Sequence, residues 1–228
     1  LKGNVIVGQS GGPTAVINSS LVGVYKTAKD LGAPKVYGML NGIRGLLEER
    51  YVDLSNHIQS DLDIELLKRT PSSFLGSCRY KLSEPAVGNP EFERIFDILK
   101  RLGVEYFFYI GGNDSMDTIK KLSDYGEMMG SSIRFMGVPK TIDNDLDVTD
   151  HTPGYGSAAK YIASITKEII RDGLVYGTES VTIIEIMGRN AGWLAGAASL
   201  AEGEDCEGPD LIFLPEVAFD MEHFVEKI

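Results

Sequence analysis

The sequence predicts an α/β fold: a doubly wound, mostly parallel sheet with helices on both faces. Three observations carry that expectation. Short apolar runs alternate with segments of helical period roughly five or six times along the chain. Several of the runs end in a Gly-rich turn that leads straight into the helix, as in a β-then-α unit. No low-complexity linker and no repeat of fixed length interrupts the alternation.

The elements follow in order. "NVIVGQSGGPTAVINSSLVGVYKTAKDLG" reads as strand, glycine turn and helix, with Val16, Ile17, Leu21, Val24, Ala28 and Leu31 on the buried side and Gly32 closing it. "VYGM" is a second strand. "PEFERIFDILKRLG" is a helix with Phe92, Ile95, Phe96 and Leu99 inward. "EYFFYIGGNDSMDTIKKL" repeats strand, turn and helix, and "IRFMGVP" is another strand. "AAKYIASITKEIIRDG" is a helix buried through Tyr161, Ile162, Ile165 and Ile169. "SVTIIEIMGRNAGWLAGAASLA" repeats the unit, with Trp193 and the small residues after it packing a helix, and "DLIFLPEVAF" supplies a last strand. Helical spacing of Met221, Phe224, Val225 and Ile228 runs to the final residue with no stop signal, and Leu1 is not an initiator methionine; cut termini are one reading, and a native C-terminal helix fits the pattern about equally well.

Bulk properties narrow the function. A chain of 228 residues buries roughly 70 to 75% of its unfolded surface, enough for a stable core. Its 22 basic against 33 acidic residues give a net charge of −11, spread along the chain, which argues against nucleic acid and membrane surfaces as partners. The most apolar window, "VEYFFYIGG", is about half as long as a bilayer requires. Cys78 and Cys206 lie far apart and form neither a disulfide framework nor a zinc pattern, which points to reduced thiols and a cytoplasmic location.

In a doubly wound sheet, ligands sit beyond the carboxyl ends of the strands. The unusual residues fall there: 8–12 (GQSGG), 111–115 (GGNDS), 139–145 (PKTIDND), 187–189 (MGR) and 215–216 (PE), and these turns are expected to converge on one crevice. Glycines 11, 12, 111 and 112 let backbone N–H groups approach a ligand, and each turn opens a helix whose N-terminus favours an anion, so phosphate is the expected guest. Neither turn is a Walker sequence or G-x-G-x-x-G, and tight turns without a ligand are common.

Residues 137–156 (GVPKTIDNDLDVTDHTPGYG) place Asp143, Asp145, Asp147 and Asp150 close behind Lys140. Such carboxylates beside phosphate require a cation between them, and aspartate oxygens hold Mg²⁺. Asp143 and Asp145 alternate as on an extended segment, so one can face metal and phosphate while the other faces elsewhere. A carboxylate near a hydroxyl can take its proton as the oxygen attacks phosphorus. Lys140 offers a compact charge to phosphate oxygens. An acidic surface loop with capping aspartates is the other reading, and it is preferred for Asp147 and Asp150. Arg79 and Arg189 are candidate phosphate clamps, with a solvated surface arginine as the alternative. His57, His151 and His223 share no metal-ligand spacing.

Taken together, "GGNDS", "PKTIDND", "MGRNAGW" and "LPE", in that order and spacing, resemble the phosphofructokinase family, from "SGGPTAVIN" onward. "TIDND" followed by "MGR" is highly specific to it, whereas a GGDG-like turn also occurs in related NAD and lipid kinases. The resemblance implies Mg²⁺-assisted phosphoryl transfer to the 1-hydroxyl of fructose 6-phosphate. Asp114 and Lys140 stand where ATP-using members carry glycine, which looks like the pyrophosphate-dependent, reversible branch: a carboxylate at 114 would repel the α-phosphate of a nucleotide, and Lys140 can neutralise a terminal phosphate.

By the same resemblance, Asp143, Lys140 and Thr141 form the catalytic set, with Asp143 as base. Gly12, Arg79, Asp114, Ser115 and Lys140 bind the donor. Thr141, Asp143, Asp145, Met187, Gly188, Arg189 and Glu216 line the sugar side, and Asn113 and Asp145 lie near Mg²⁺. Residues 1–140 are then a donor domain and residues 141–228 the start of a sugar-phosphate domain, with the C-terminal part of the family fold absent. A homo-oligomer, dimer or tetramer, is expected. Asn113 stands where the family usually has aspartate, and Ser180 where many members have an arginine that reaches a neighbouring subunit. Val22 and Lys26 replace an arginine pair that serves effectors in allosteric bacterial members. The competing readings are an ATP-dependent enzyme and a non-catalytic regulatory paralogue that binds phosphorylated ligands.

Overall fold

The first apolar run becomes β1 (Asn4–Gln9), and Val5, Ile6 and Val7 are all fully buried, as a central strand covered on both faces requires. The computed structural model describes residues 1–228, which divide into two units, Leu1–Lys140 and Thr141–Ile228. In the first unit, β1 lies between β2 (Val36–Met39) and β4 (Val104–Gly111), and both pair with it in parallel. β5 (Arg134–Pro139) extends the sheet in parallel beyond β4, with Phe107 opposite Phe135. β3 (Tyr51–Asp53) closes the other edge antiparallel to β2, giving the order β3-β2-β1-β4-β5.

Alternation along β1 assigns its two faces. Val5 and Val7 join Ile110 in a cluster with Ile17, Leu21, Val22, Tyr25 and Ala28 of α1 (Ile17–Asp30) and Leu67 of α3 (Asp61–Arg69). Ile6, Phe107 and Tyr109 point the other way. They meet α2 (Gly42–Leu47), α4 (Pro90–Arg101) and α5 (Asn113–Met128) through Ile43, Leu46, Phe92, Ile95, Leu99 and Leu122. The expected α/β sheet with helices on both faces is therefore present.

Local chemistry sets the helix starts. Asn89 accepts the Glu91 N–H and is followed by Pro90 at the first helical position. Ser60 and Asp63 form a reciprocal capping box at α3, with Ser60 accepting the Asp63 N–H and Asp63 accepting the Ser60 N–H.

Two polar side chains are fully buried at the β1–α1 junction. Gln9 Nε2 donates to Asn18 Oδ1 at 2.9 Å and to the Ile17 carbonyl, while Gln9 Oε1 accepts the Leu75 N–H at 2.9 Å. Asn18 Oδ1 also accepts the Phe74 N–H, and Asn18 Nδ2 donates to the Thr70 carbonyl, each at 2.9 Å. The amides thereby hold the 70–75 segment against the strand end.

In the second unit, α6 (Tyr155–Gly173) packs on α7 (Trp193–Ala197) through Ala159, Leu194 and Ala197, and α8 (Met221–Lys227) ends the chain. The structure corrects several expectations. Residues 180–187 and 210–219 form no strand, and Val181, Ile183, Leu211, Ile212 and Phe213 are exposed, because no second backbone lies alongside to complete a ladder. Trp193 is 57% exposed rather than packed in its helix, and Tyr161 is 64% exposed. In α1 the buried stripe runs through Val22 and Tyr25, and Leu31 faces solvent. The short β3, α2 and α3 had no counterpart in the periodicity. No helix is long and apolar enough to cross a membrane.

Replacing Asn18 with Ala removes the side-chain partners of the Phe74 N–H and the Thr70 carbonyl and leaves Gln9 Nε2 with the Ile17 carbonyl alone. Asn18→Ala is expected to cost about 2–4 kcal/mol, read from urea unfolding. A midpoint equal to the parent's would remove the network from the forces that hold the first unit together.

Candidate active site

The chain leaves β1 toward β2 on one side, and β4 leads to β5 on the other, so the carboxyl ends of β1 and β4 flank the switch point of the sheet. Two glycine turns meet there. The Ser10 N–H donates to the Ile110 carbonyl at 2.9 Å, and the Ser10 and Ser115 hydroxyls share a short hydrogen bond, both side chains being buried. A Cβ on Gly111 would lie 1.9 Å from Ser115 Oγ and 2.9 Å from Ser10 Oγ, so the turns close only around glycine. Gly112 caps α5 in an extended conformation. Its carbonyl accepts from Ser115 and Met116, which leaves the Asn113 and Asp114 amides at the open head of a 16-residue helix.

Gly11 has a positive φ of 76° and is held from both sides: its N–H donates to the Cys78 carbonyl at 3.3 Å, and Ser77 Oγ donates to its carbonyl at 2.5 Å. Gly12 is exposed, with open space above it. Lys140 follows β5. Its N–H donates to the Gly111 carbonyl at 3.0 Å, and its ammonium, on a residue only 6% exposed, donates to the Gly12 carbonyl. Gly12, Ser115 and Lys140 are therefore gathered at one strand end.

Arg79, Asn113 and Asp114 are exposed, and Asp114 forms a solvated ion pair with Lys81 at 3.5 Å. Arg79 lines an open cleft of about 460 Å³ with Asn41, Arg44, Glu48, Arg50, Ser77, Cys78 and Tyr80. The Tyr80 hydroxyl donates to Glu91, and that bond, with burial, pushes the phenol up to about 12. Behind the cleft, burial raises Tyr109 above the ordinary phenol range. Its oxygen accepts the Ile43 N–H at 3.2 Å and lies 3.6 Å from Cys78 Sγ.

In the second unit the aspartate loop is built around Asn144, a buried residue in the left-handed region at φ 56°. Its Oδ1 accepts the Thr152 N–H at 2.9 Å and its Nδ2 donates to the Asp150 carbonyl at 3.1 Å. Thr141 is pinned through its N–H to Pro153 and its carbonyl to Thr152 Oγ1, and Thr141 Oγ1 accepts the Asp143 N–H at 3.1 Å. Asp143 and Asp145 flank the Asn144 anchor. Asp145 Oδ1 is buried with no hydrogen-bond partner in the protein. Asp147 and Asp150 are exposed, and Asp147 Oδ1 accepts the Val148 N–H at 2.9 Å.

Ile142 of the loop and Ile186, just before the 187–189 turn, both pack against the cluster of Ala159, Leu194 and Ala197. Gly188 takes φ 140°, with Met187 and Arg189 exposed around it. Glu216 accepts the Gly192 N–H at 2.7 Å and so holds the start of α7. His151, whose spacing suggested no site, stacks on Tyr155 and shares an open pocket of about 380 Å³ with Asn144, Leu146, Thr149, Asp150 and Trp193. No three His, Cys, Asp or Glu side chains converge as a metal cage.

The first unit thus presents backbone donors, a helix head and an ammonium suited to phosphate. The second presents carboxylates suited to a proton or a divalent cation.

The profile of the family described as Phosphofructokinase matches residues 4–228. The pyrophosphate–fructose 6-phosphate 1-phosphotransferase of Xanthomonas campestris pv. campestris is 45% identical across all of this chain and 54% of its own length. That of Halomonas elongata is 43% identical over 95% of this chain and 52% of its own. A crystal structure of pyrophosphate-dependent phosphofructokinase from Nitrosospira multiformis superposes with a TM-score of 0.88 at 42% identity, covering 98% of this chain and 56% of that one. The chain spans about half the length of these relatives.

Gly111→Ala drives a methyl group into the Ser10–Ser115 contact, and overpacking of this kind costs about 1–3 kcal/mol. A loss of stability of that size is expected in denaturant unfolding, with weaker phosphate binding by calorimetry. Gly12→Ala, into open space, is expected to stay within about 0.5 kcal/mol of the parent. Equal behaviour of the two variants would contradict the closure argument.

Proposed function

The chain belongs to the phosphofructokinase family, and on that premise we propose that its protein transfers a phosphoryl group reversibly between pyrophosphate and the 1-hydroxyl of fructose 6-phosphate, with Mg²⁺. One observation carries the choice of donor: a nearly buried Lys140 ammonium rests on the Gly12 carbonyl, at a position where ATP-using members are expected to carry glycine. A charge placed there recognises a short inorganic phosphate chain and takes up room near a nucleotide's phosphates. Relatives at 45% and 43% identity bear the pyrophosphate name, which supports the same reading.

In this reading residues 1–140 hold the donor. The Gly11–Gly12 turn, Ser115 and the open amides of α5 orient its phosphates, Lys140 offsets their charge, and Arg79 and Asp114 border the site. Residues 141–228 hold the acceptor, with Met187, Gly188, Arg189 and Glu216 on the sugar side. Asp143 takes the proton of the 1-hydroxyl as that oxygen attacks phosphorus, and returns it in the reverse direction. Thr141 sets the orientation of Asp143 through the hydrogen bond to its N–H. The orphaned, buried Asp145 Oδ1 fits an oxygen ligand awaiting a cation, and the Asn113 amide oxygen is a neutral donor of the same hard type. Mg²⁺ bound by such oxygens supplies charge neutralisation of the phosphates. The free thiols of Cys78 and Cys206 fit a reducing compartment, and we place the protein in the cytoplasm as a homo-oligomer.

Formation of fructose 1,6-bisphosphate is expected with pyrophosphate and not with ATP when both are offered beside fructose 6-phosphate and Mg²⁺. Turnover with ATP alone would overturn the donor assignment. Asp143→Asn should lower kcat by about 10²–10⁴-fold with pyrophosphate affinity largely kept, and near-normal turnover would remove Asp143 from the role of base. Lys140→Gly should raise KM for pyrophosphate by about tenfold or more, the size of one lost charge-assisted contact. Unchanged donor kinetics would refute the electrostatic argument.

A further inference from the structure

We propose that the cleft beside the glycine turns takes the trailing phosphates of a linear inorganic polyphosphate, so that the protein uses chains longer than pyrophosphate as a second class of donor. This rests on the phosphoryl-transfer reading above.

The charge pattern is the first argument. In a chain of net charge −11, the cleft gathers the guanidinium groups of Arg44, Arg50 and Arg79 against a single carboxylate, Glu48. Arg44 and Arg50 share that carboxylate at 3.4 and 2.8 Å, and Arg79 enters no ion pair. Arg50 turns Nε and Nη2 to Glu48 and Nη1 to Asn41 Oδ1 at 3.0 Å, so it stands in the wall as a fixed positive charge. Guanidinium forks match phosphate oxygens in pairs, and a polyphosphate offers such oxygens on every unit.

Continuity is the second argument. Ser77 and Cys78 line the cleft and are also the residues that grip Gly11, through Ser77 Oγ to the Gly11 carbonyl and the Gly11 N–H to the Cys78 carbonyl. One wall of the cleft is therefore the support of the donor turn. Arg79, next in the chain, stands at the junction, and Arg44 and Arg50 add charge for which a two-phosphate donor held by Gly12 and Lys140 has no use.

The step balances without a further reactant. The bond between the terminal phosphorus and its bridging oxygen breaks, and the 1-hydroxyl oxygen forms a bond to that phosphorus. The hydroxyl proton passes to Asp143. The bridging oxygen keeps the electron pair as the new terminus of a chain one phosphate shorter.

The test compares pyrophosphate, tripolyphosphate and a longer linear polyphosphate by calorimetric titration and by fructose 1,6-bisphosphate formation, on the parent and on Arg44→Glu. The Arg44 side chain is 69% exposed, so folding is not at stake. The longer chain is expected to bind about tenfold more tightly than pyrophosphate, the gain of one charge-assisted contact, and to act as donor, with the affinity ratio falling toward one in Arg44→Glu. Polyphosphate binding no tighter than pyrophosphate, a ratio that survives Arg44→Glu, or tight binding without turnover would each overturn the proposal. Failure of pyrophosphate itself to bind or turn over would instead sink the functional reading beneath it.

Discussion

The parallel pairing of β1 with β4 is the constraint on which the first unit depends. Their neighbours lie on opposite sides, so no connection covers the two carboxyl ends, and the turns that follow are free to face a ligand. Everything at the proposed donor site hangs from this pair: Ser10 from β1, Gly111 and the head of α5 from β4, and Lys140 from β5 beside it. The price is crowding at the strand ends, where Gly111 leaves no room for a methyl group and two hydroxyls are pressed together.

The two fully buried amides of this unit enter the interior with partners. Gln9 and Asn18 satisfy each other and four backbone groups, which converts an irregular segment at 70–75 into a fixed support for the cleft wall at Ser77 and Cys78. Lys140 follows the same logic with a charge: an ammonium removed from water demands an acceptor, and the Gly12 carbonyl is one. Positioning of the turns and the anion recognition proposed for them therefore draw on the same hydrogen bonds.

The second unit solves a different problem, that of presenting carboxylates from a segment with no regular structure. Asn144 accepts a left-handed backbone and a buried amide, and its two bonds hold the loop so that the aspartates on either side do not have to. Asp145 keeps a buried oxygen that no group of the protein bonds, which fits the ligand role proposed for it. The exposed apolar residues at 180–187 and 210–219 show the limit of local pattern: β-rich composition makes a strand only beside another strand.

By itself the sequence determined what is local. Period and turn chemistry placed β1, β2, β4, β5 and the helices α1, α4, α5 and α6, and the strings GGNDS, PKTIDND and MGR marked the turns to which the chemistry is assigned in the proposal and the family to which the chain belongs. The tertiary structure decided what depends on distant partners. β3 exists because it can pair with β2, and the buried face of α1 turned toward Val22 and Tyr25 because of what packs against it. Trp193 lies in the open, Lys140 lies buried on Gly12, and Arg44 and Arg50 gather around Glu48 beside Arg79. The physical reason is common to all of these: burial period and backbone preference are written in neighbouring residues, whereas a hydrogen-bond partner or the field around a charge comes from residues far along the chain.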